Sequence, residues 1–408
     1  MTQTRALLLY CKLPKRFNPV DIREFCQLSE STGLSIQYIY IHKLKTIQPK
    51  CFCHLSIIPW LITIIQNIRA DTIVFSHAIS ASNQKNLSRL LKVNVLDINE
   101  IILDIFAQRA QSKEGKLQVE LAQLLHLSSK LVKGWTHLER QKGGIGLRGP
   151  GEKQLETDRR LIKSRIIHIK NQIRSVEKTR LQQAAYRKKS MTPLIALIGY
   201  TNVGKSSLFN SLTKGNALCA DKPFATLDPL IRKIKINKHA PVHIIDTVGF
   251  IHALPKELKQ AFKSTLDVIS RADLLIHVID NSNPCHLQHI QAVNQILTEI
   301  NADNIPQILA YNKSDISPYI SNRQLNISTY THQGIPELLG MISDQLQHML
   351  IPTTLEISMT EYYIYEEIQY MYPILPKIIE TTHKMIFTAL LPASSIKQYS
   401  AYIKPKLS

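Results

Sequence analysis

The stretch Gly199-Tyr-Thr-Asn-Val-Gly204-Lys205-Ser206 decides the fold of this 408-residue chain. It stands directly after the apolar run Leu194–Ile198, which reads as a buried strand, and before the helix-like run Ser207–Leu212. Its glycines would let backbone N–H groups turn around a phosphate, and the N-terminus of the following helix would add positive potential. This order of strand, glycine-lysine loop and helix predicts a phosphate-binding loop in an α/β fold with a mainly parallel sheet.

Further positions complete the phosphate and metal chemistry that this loop predicts. Lys205 should bridge β- and γ-phosphates, and the Ser206 hydroxyl should ligate Mg²⁺. Asp246 ends a strand-like run, where its carboxylate could hold Mg²⁺ through water, and the N–H of Gly249 could meet a γ-phosphate. Thr226 lies twenty residues beyond Ser206, at a suitable place for a switch threonine that closes on Mg²⁺. We therefore assign the catalytic step to Lys205, Thr226 and Gly249, and Mg²⁺ to Ser206 and Thr226.

The motif Asn312-Lys313-Ser314-Asp315 follows another apolar run and selects the base. A carboxylate at Asp315 can accept two hydrogen bonds from guanine, and adenine offers no matching pair. Asn312 can tie this motif to the phosphate-binding loop, and the backbone of Ser328-Thr-Tyr330 can reach the guanine carbonyl. Together the motifs predict that the chain binds GTP and GDP. The predicted nucleotide-binding residues are Gly199, Tyr200, Thr201, Asn202, Val203, Gly204, Lys205, Ser206, Phe224, Ala225, Thr226, Leu227, Asp228, Asp246, Thr247, Val248, Gly249, Asn312, Lys313, Ser314, Asp315, Ser328, Thr329 and Tyr330.

The water-positioning group for hydrolysis is left open by the sequence. Phe250 follows Gly249, where many GTPases place a glutamine that orients the attacking water. Another side chain, the backbone, a monovalent cation or a partner must then position the water. Asn202 occupies the place that cation-assisted GTPases use to hold potassium, so K⁺ could act as an activator. The alternative is that Asn202 only caps the loop.

Positive charge is concentrated in the first half of the chain. Residues 1–190 hold 32 Lys and Arg against 14 Asp and Glu, whereas residues 191–408 hold 18 against 17. Within the first half, residues 130–189 alone hold 17 basic residues against 5 acidic ones. Such a local excess favours a polyanionic partner, either nucleic acid or an anionic membrane, over an ordinary solvated surface.

Four regions are predicted along the chain. Residues 1–100 read as a small α/β domain, and residues 101–190 as an antiparallel helical hairpin. The glycine cluster at 143–151 predicts a loop between the helices, the second of which should begin near Glu152 with a heptad-like apolar seam. Ordinary helix packing explains this short seam better than an intermolecular coiled coil does, so we expect a monomer. Residues 191–350 form the GTPase domain, and residues 351–408 a short C-terminal appendage.

Hydropathy and cysteine usage bear on the compartment. No run of 18 or more apolar residues is present, so we expect no stable insertion into a membrane. The N-terminus resembles no signal peptide, and six scattered cysteines do not resemble a disulfide framework. These features predict a cytoplasmic protein.

Three segments of the chain closely resemble the HflX family of translation-factor-related GTPases. The first segment joins Leu103-Asp-Ile-Phe-Ala-Gln-Arg-Ala110 to Glu114-Gly-Lys-Leu-Gln-Val-Glu-Leu-Ala-Gln123. The second runs from Gly143 to Arg160, and its glycine-rich part is highly specific. The third pairs Phe224-Ala-Thr-Leu-Asp-Pro229 with Asp246-Thr-Val-Gly-Phe250.

The resemblance implies a GTPase that binds the large ribosomal subunit and splits or rescues stalled ribosomes under stress. It implies that the N-terminal domain and hairpin enter the ribosome near the peptidyl-transferase region, which agrees with the basic charge found there. It also places the nucleotide and Mg²⁺ roles on Ser206 and Thr226. The candidate contacts to ribosomal RNA are Lys142, Arg148, Lys153 and Arg159.

Two other functions remain open at this stage. The chain could be a GTP-gated ribosome- or RNA-binding module whose hydrolysis is negligible until a partner activates it. It could also be a membrane-associated GTPase that places its basic hairpin on anionic lipid. No amphipathic helix with a bulky aromatic face supports the membrane alternative.

Overall fold

The computed structural model divides the chain into two compact units. One comprises Met1–Thr179, Ala220–Asp228 and Gly249–Leu266, and the other comprises Arg180–Cys219, Pro229–Val248 and Asp267–Ser408. The residues that the structure describes are 4–13, 20–135, 150–189, 192–213, 223–224, 229–236, 242–251, 256–262, 266–318, 321, 324–348, 350–381, 383–396 and 399–404.

A four-stranded parallel sheet with the order β2-β1-β3-β4 forms the centre of the N-terminal domain. Leu7 and Leu9 of β1 belong to a buried cluster with Ile73 and Phe75 of β3, as expected for apolar strands covered on both faces. The sheet is flanked by three helices in an alternating α/β order. The elements are β1 Arg5–Lys12, α1 Ile22–Ser31, β2 Ser35–Lys43, α2 Ile58–Ile68, β3 Thr72–Phe75, α3 Ala81–Leu91 and β4 Asn94–Asp97.

Helix α4 (Ile98–Arg109) begins before the position that the sequence pattern suggested. Asp97 and Glu100 form a reciprocal capping box, in which each side chain accepts a hydrogen bond from a backbone N–H group that has no partner within the helix. Lys130 of the next helix, α5 (Lys113–Trp135), donates to Glu100 Oε1 at 2.6 Å. This ion pair attaches the first helix of the hairpin to α4.

The helical hairpin consists of α5 and the 40-residue helix α6 (Pro150–Lys189). Arg165 pairs with Glu120 at 2.7 Å, and the two residues lie equally far from the chain segment that joins the helices, as antiparallel packing requires. The predicted seam is the packed face of α6, because Ile169 and Ile173 are buried. Residues 143–149 of the predicted loop lie outside the described residues. At its end the loop prediction is wrong, because Gly151 lies inside α6. Pro150 is the first residue of this helix, a position where proline costs no hydrogen bond.

A six-stranded sheet with the order β10-β9-β8-β5-β7-β6 forms the GTPase domain. Its strands are parallel except β6, which pairs with β7 in the antiparallel sense and was not predicted. The mainly parallel α/β fold expected from the sequence is therefore confirmed. The elements are β5 Leu194–Gly199, α7 Lys205–Thr213, β6 Leu230–Ile234, β7 Val242–Asp246, α8 Lys256–Ala261, β8 Leu274–Asp280, α9 His286–Glu299, β9 Gln307–Asn312, β10 Leu325–Asn326 and α10 Ile335–His348.

The C-terminal region folds around a three-stranded antiparallel sheet with the order β11-β13-β12. Leu355, Phe387 and Ile368 belong to its buried core, which one helix completes. The elements are β11 Leu350–Ser358, α11 Tyr362–Met371, β12 Ile374–Glu380, β13 Lys384–Pro392 and α12 Ala393–Ile396. Among the described residues, we find no helix that combines the length and the hydropathy needed to cross a membrane.

Candidate nucleotide-binding site

The phosphate-binding loop turns sharply between β5 and α7. Gly199 and Gly204 have φ angles of 150° and 93°, which disfavour residues with a side chain. A Cβ atom at Gly204 would lie 2.3 Å from Nδ2 of Asn312, and one at Gly199 would lie 2.3 Å from the carbonyl oxygen of Val278. The two glycines are therefore required both for the turn and for the close approach of neighbouring strands.

Lys205 lies at the start of α7 with its ammonium group inside the loop. Its Nζ donates to the carbonyl oxygens of Tyr200 at 2.6 Å and Gly199 at 3.1 Å. Burial lowers the pKa of Lys205 to about 8, and the carboxylate of Asp246 opposes that shift. The lysine thus remains largely protonated at neutral pH and lies among groups that a phosphate could replace.

Ser206 and Asp246 form the part of the site that fits a divalent cation. The Ser206 hydroxyl donates to Oδ2 of Asp246 at 2.7 Å, which places a hydroxyl and a carboxylate oxygen side by side. Mg²⁺ takes oxygen ligands and commonly combines one or two protein groups with phosphate oxygens and water. The next residue, Thr247, donates to the carbonyl oxygen of Leu197 at 2.6 Å and so fixes the end of β7 beside β5.

The buried Asn312 links the predicted base-binding motif to the phosphate-binding loop, as its sequence position suggested. Its Nδ2 donates to the carbonyl oxygen of Val203 at 2.8 Å, and its Oδ1 accepts from the backbone N–H of Thr329 at 3.1 Å. One side chain therefore bridges three separate loops. Because the amide has both a donor and an acceptor, no carboxylate or aliphatic residue could make both bonds.

Lys313 stands beside the same loop in a left-handed conformation, with a φ of 61°. Its Nζ donates to the carbonyl oxygen of Asn202 at 3.0 Å and forms an ion pair with Asp280 at 2.8 Å. Asp280 was not among the predicted site residues. Its position at the end of β8, on the same sheet edge as the predicted motifs, is the signal that could have identified it.

The carboxylate of Asp315 is oriented by the buried hydroxyl of Ser328, which donates to its Oδ1 at 2.6 Å. Ser328 in turn accepts from the backbone N–H of Thr331 at 3.1 Å. Asp315 itself is exposed, so its carboxylate is open to a ligand on the surface. Tyr330 is 87% exposed, which agrees with a contribution from its backbone and not from its ring.

Two features of ring side chains near the site could not be predicted from the sequence. Tyr200 stacks face to face on His289 of α9, with ring centroids 3.8 Å apart and planes within 1° of each other. His277 of β8 is buried, and burial together with the charge of Lys205 lowers its pKa to about 4. It is therefore neutral at physiological pH and adds no second positive charge near Lys205.

The predicted switch residues are only partly covered by the structure. Ala225, Thr226, Leu227 and Asp228 lie outside the described residues. Phe224 is buried and its ring lies 4.6 Å from that of Phe106 on α4. Phe250, which follows Gly249, is also buried and has no group that could orient water.

Two of the four candidate contacts to ribosomal RNA lie within the described residues. Lys142 and Arg148 lie outside the described residues. Lys153 lies in the first turns of α6, where only the backbone is described, and Arg159 is a half-buried residue of the same helix. The structure therefore places two of these four residues on α6.

Family models match three successive parts of the chain. Residues 20–107 match the GTP-binding GTPase N-terminal model, residues 109–187 the GTP-binding GTPase Middle Region, and residues 194–313 a model described as 50S ribosome-binding GTPase. A solved GTP-binding protein from Sulfolobus solfataricus in complex with GDP aligns with 84% of this chain and 98% of its own, at 23% identity and a TM-score of 0.46.

Curated relatives cover most of the chain. A GTPase HflX from Escherichia coli is 42% identical over 363 residues, which are 86% of this chain and 85% of the relative. A GTPase HflX from Magnetococcus marinus is 40% identical over 348 residues, which are 82% of this chain and 81% of the relative. With this identity and coverage, the chain belongs to the HflX family of GTPases, enzymes that bind and hydrolyse GTP.

Proposed function

We propose that this GTPase binds the large ribosomal subunit in its GTP-bound state and splits or rescues stalled ribosomes under stress. The observation that carries the proposal is the separation of charge: residues 1–190 hold 32 basic and 14 acidic residues, and the GTPase half is nearly neutral. A basic helical hairpin suits the phosphate backbone of ribosomal RNA. The 50S ribosome-binding description of the matched GTPase model supports the same partner, and such a protein would act in the cytoplasm.

The site geometry supports the following assignment of nucleotide roles. We assign the triphosphate to the backbone of residues 199–204, where Lys205 would exchange its two carbonyl partners for β- and γ-phosphate oxygens. Ser206 and Thr226 would hold Mg²⁺, and Asp246 would act on the ion through water. The bound metal neutralises phosphate charge. Lys313 would lie along the plane of the guanine base, and the carboxylate of Asp315 would accept hydrogen bonds from the ring N–H and the exocyclic amine.

In the hydrolysis step, water attacks the γ-phosphorus while the bond to the β–γ bridging oxygen breaks, which yields GDP and phosphate. Lys205 and the N–H of Gly249 would stabilise the negative charge that develops on these oxygens. Because Phe250 cannot orient water, we assign that task to a group supplied from elsewhere. K⁺ held near Asn202 is one candidate, and the ribosome is another.

The second candidate function, a GTP-gated binding module, rests on the same phenylalanine. With a buried phenyl ring beside Gly249, hydrolysis by the isolated chain would be slow, and the bound partner would complete the site. Single-turnover hydrolysis with and without large ribosomal subunits separates the candidates. A large acceleration by the subunits supports the gated module, and equal rates support an enzyme that is complete by itself.

The proposed partner is tested by co-sedimentation with purified large ribosomal subunits. We expect the chain to pellet with them in the presence of a non-hydrolysable GTP analogue and to remain largely in the supernatant with GDP. Equal recovery with both nucleotides would contradict a GTP-dependent association, and no recovery with either would remove the ribosome as partner.

A further inference from the structure

The two halves of the phosphate-binding loop are held in different ways. In the second half, the carbonyl oxygens of Asn202 and Val203 accept hydrogen bonds from side chains of the base-binding motif, at 3.0 and 2.8 Å. In the first half, the side chain of Tyr200 is buried and its ring is stacked on His289 of α9. A side chain from a helix far along the sequence therefore contacts the loop at the point where it leaves β5.

The contact between Tyr200 and His289 is close and parallel. The ring centroids lie 3.8 Å apart, and the two planes differ in direction by 1°. This separation is close to the optimal distance between carbon atoms, so the rings overlap extensively and lose contact if either tilts or slides. Because few rotatable bonds join a tyrosine ring to its backbone, the stack also restricts the position of the loop.

The backbone of Tyr200 is part of the nucleotide site. Its carbonyl oxygen accepts from Nζ of Lys205 at 2.6 Å, and that of Gly199 accepts from the same ammonium group at 3.1 Å. Gly199 has a φ of 150° and, as a glycine, adds little stiffness to the turn. The position of this part of the loop must then come from contacts of its neighbours. A displacement of Tyr200 would move the groups that surround Lys205.

Ordinary packing of α9 does not require a ring at position 289. The helix packs on β5 and β8, and the side chains that it buries are apolar: Ala292, Val293, Ile296 and Leu297. His289 lies one turn before these residues and extends the same face. An aliphatic side chain would continue this apolar face, whereas only a ring can form the stack. The need for a ring is therefore explained by Tyr200 and not by the helix.

We propose that His289 is a positioning residue of the nucleotide site, which acts through the ring of Tyr200 and holds the first half of the loop in the form that receives the triphosphate. The inference rests on the proposed assignment of the triphosphate to residues 199–204. A loop that is already ordered loses less conformational entropy on binding, so the stack increases affinity without touching the nucleotide. It acts equally on GTP and GDP, because both carry the phosphates that this loop surrounds.

Substitutions at the two rings test the proposal by titration calorimetry. His289→Leu and Tyr200→Leu each remove one ring and should weaken GTP and GDP about fivefold, as expected for the loss of one aromatic pair. His289→Phe keeps a ring and should bind as the wild type does. Gln288→Leu is the matched control, since it introduces the same residue at the exposed neighbouring position of α9, and it should leave both affinities unchanged.

The double variant, His289→Leu with Tyr200→Leu, separates a specific stack from two independent effects on the structure. Either single substitution removes the whole contact, so the double variant should bind about fivefold, and not about 25-fold, more weakly than the wild type. In GTP hydrolysis, KM of His289→Leu should rise by the same factor while kcat stays unchanged, because the stack contributes equally to the ground state and the transition state.

A nuclear magnetic resonance measurement needs no leucine variant and stays valid if such a variant does not fold. In the nucleotide-free wild type, the ring current of Tyr200 should shift the Cε1–H resonance of His289 upfield. The resonance is identified by its disappearance in His289→Phe. It should remain upfield when GDP is added, because the first half of the loop already has its binding form.

Four results would overturn the proposal: wild-type affinity in His289→Leu, an equal loss of affinity in His289→Phe and His289→Leu, additive losses in the double variant, or a His289 resonance without an upfield shift. Failure of the wild type to bind GTP would instead overturn the assignment of the triphosphate to this loop. The two failures can therefore be told apart.

Discussion

The GTPase site and the basic N-terminal half are built on different physical principles. In the GTPase site, single side chains such as Asn312 and Ser328 connect several loops through short hydrogen bonds, so each residue has one geometric task. In the N-terminal half, the proposed RNA contact would depend on many basic side chains that act together. Single substitutions should therefore have large effects in the first region and graded, salt-dependent effects in the second.

The largest expected effect is that of Lys205→Ala. The substitution removes a buried ammonium that we assign to the β- and γ-phosphates, and loss of such a charged contact costs about 2–5 kcal/mol. GTP binding should become undetectable in titration calorimetry. Lys233→Ala, at an exposed position of β6, is the matched control and should bind as the wild type does. Near-normal binding by the Lys205 variant would show that the loop does not hold the triphosphate in the proposed way.

Asp315→Asn should change the base preference. An amide can donate where the carboxylate only accepts, so the preference should move from guanine toward xanthine nucleotides, and GTP affinity should fall about 100-fold. The change is measured by the competition of GTP and of XTP with a labelled nucleotide for the binding site. Ser328→Ala removes only the hydroxyl that orients Asp315 and should weaken GTP about fivefold without changing the preference. Unchanged GTP affinity in Asp315→Asn would refute the assignment of the base.

Neutralising the hairpin should produce the graded effect expected of the second region. Replacing Lys142, Arg148, Lys153 and Arg159 with Gln should weaken ribosome association about tenfold or more and flatten its salt dependence, because fewer counterions are released. GTP affinity should not change. The control replaces four basic residues outside the hairpin: Lys233, Lys235, Arg271 and Lys404. If ribosome binding survived the hairpin changes, the hairpin would not be the contact surface.

The pKa of Lys205, lowered by burial to about 8, predicts a pH dependence of GTP binding. Above pH 8 the nucleotide-free protein loses this proton, and a bound triphosphate favours its return, so affinity should fall about fivefold between pH 8 and 9. The lowered pKa of Lys205 also affects folding. The free energy of unfolding should rise with pH between about 8 and 10.5, because in this range only the unfolded chain keeps the proton on Lys205. Calorimetry at pH 8.5 in two buffers of different ionisation enthalpy should show proton uptake on GTP binding. No difference between the buffers would contradict the buried lysine as the titrating group.

The smallest expected effect concerns monovalent cations. If K⁺ held near Asn202 helps to position the attacking water, GTP hydrolysis should be faster in potassium than in sodium buffer at equal ionic strength. Asn202→Ala should remove this difference while it leaves GTP affinity nearly unchanged. Equal rates of the wild type in the two buffers would rule out K⁺ as the activator and leave Asn202 as a loop residue.

The sequence anticipated the loop contacts of the candidate nucleotide site better than the bounds of the helices. The motifs around Gly204 and Asn312 could be expected to lie close together, because each follows the carboxyl end of a strand in one parallel sheet. The stack of Tyr200 on His289 had no such signal, since the two residues are 89 positions apart and no sequence pattern includes both of them. Asp280 was missed because a single aspartate at a strand end is common.

The helical half shows where local rules are overridden. Gly151 reads as a loop residue, yet it lies in α6, since the favourable start at Pro150 and the long packed helix outweigh the low helix propensity of one glycine. Leu117 and Leu121 lie one turn apart on one buried face of α5, but Val119 and Ala122 are buried as well, so this helix packs on more than one side. Periodicity alone indicates one face and cannot reveal a second set of neighbours.

Titration calorimetry of the purified chain with magnesium present gives the most direct test of the proposed GTP site, in which the loop of Gly199–Ser206 and the carboxylate of Asp315 hold opposite ends of one nucleotide. GTP and GDP should each bind with measurable heat at one site per chain, and ATP should give none. Heat with ATP equal to that with GTP would contradict the role of Asp315. Absence of heat with both guanine nucleotides would contradict the entire site.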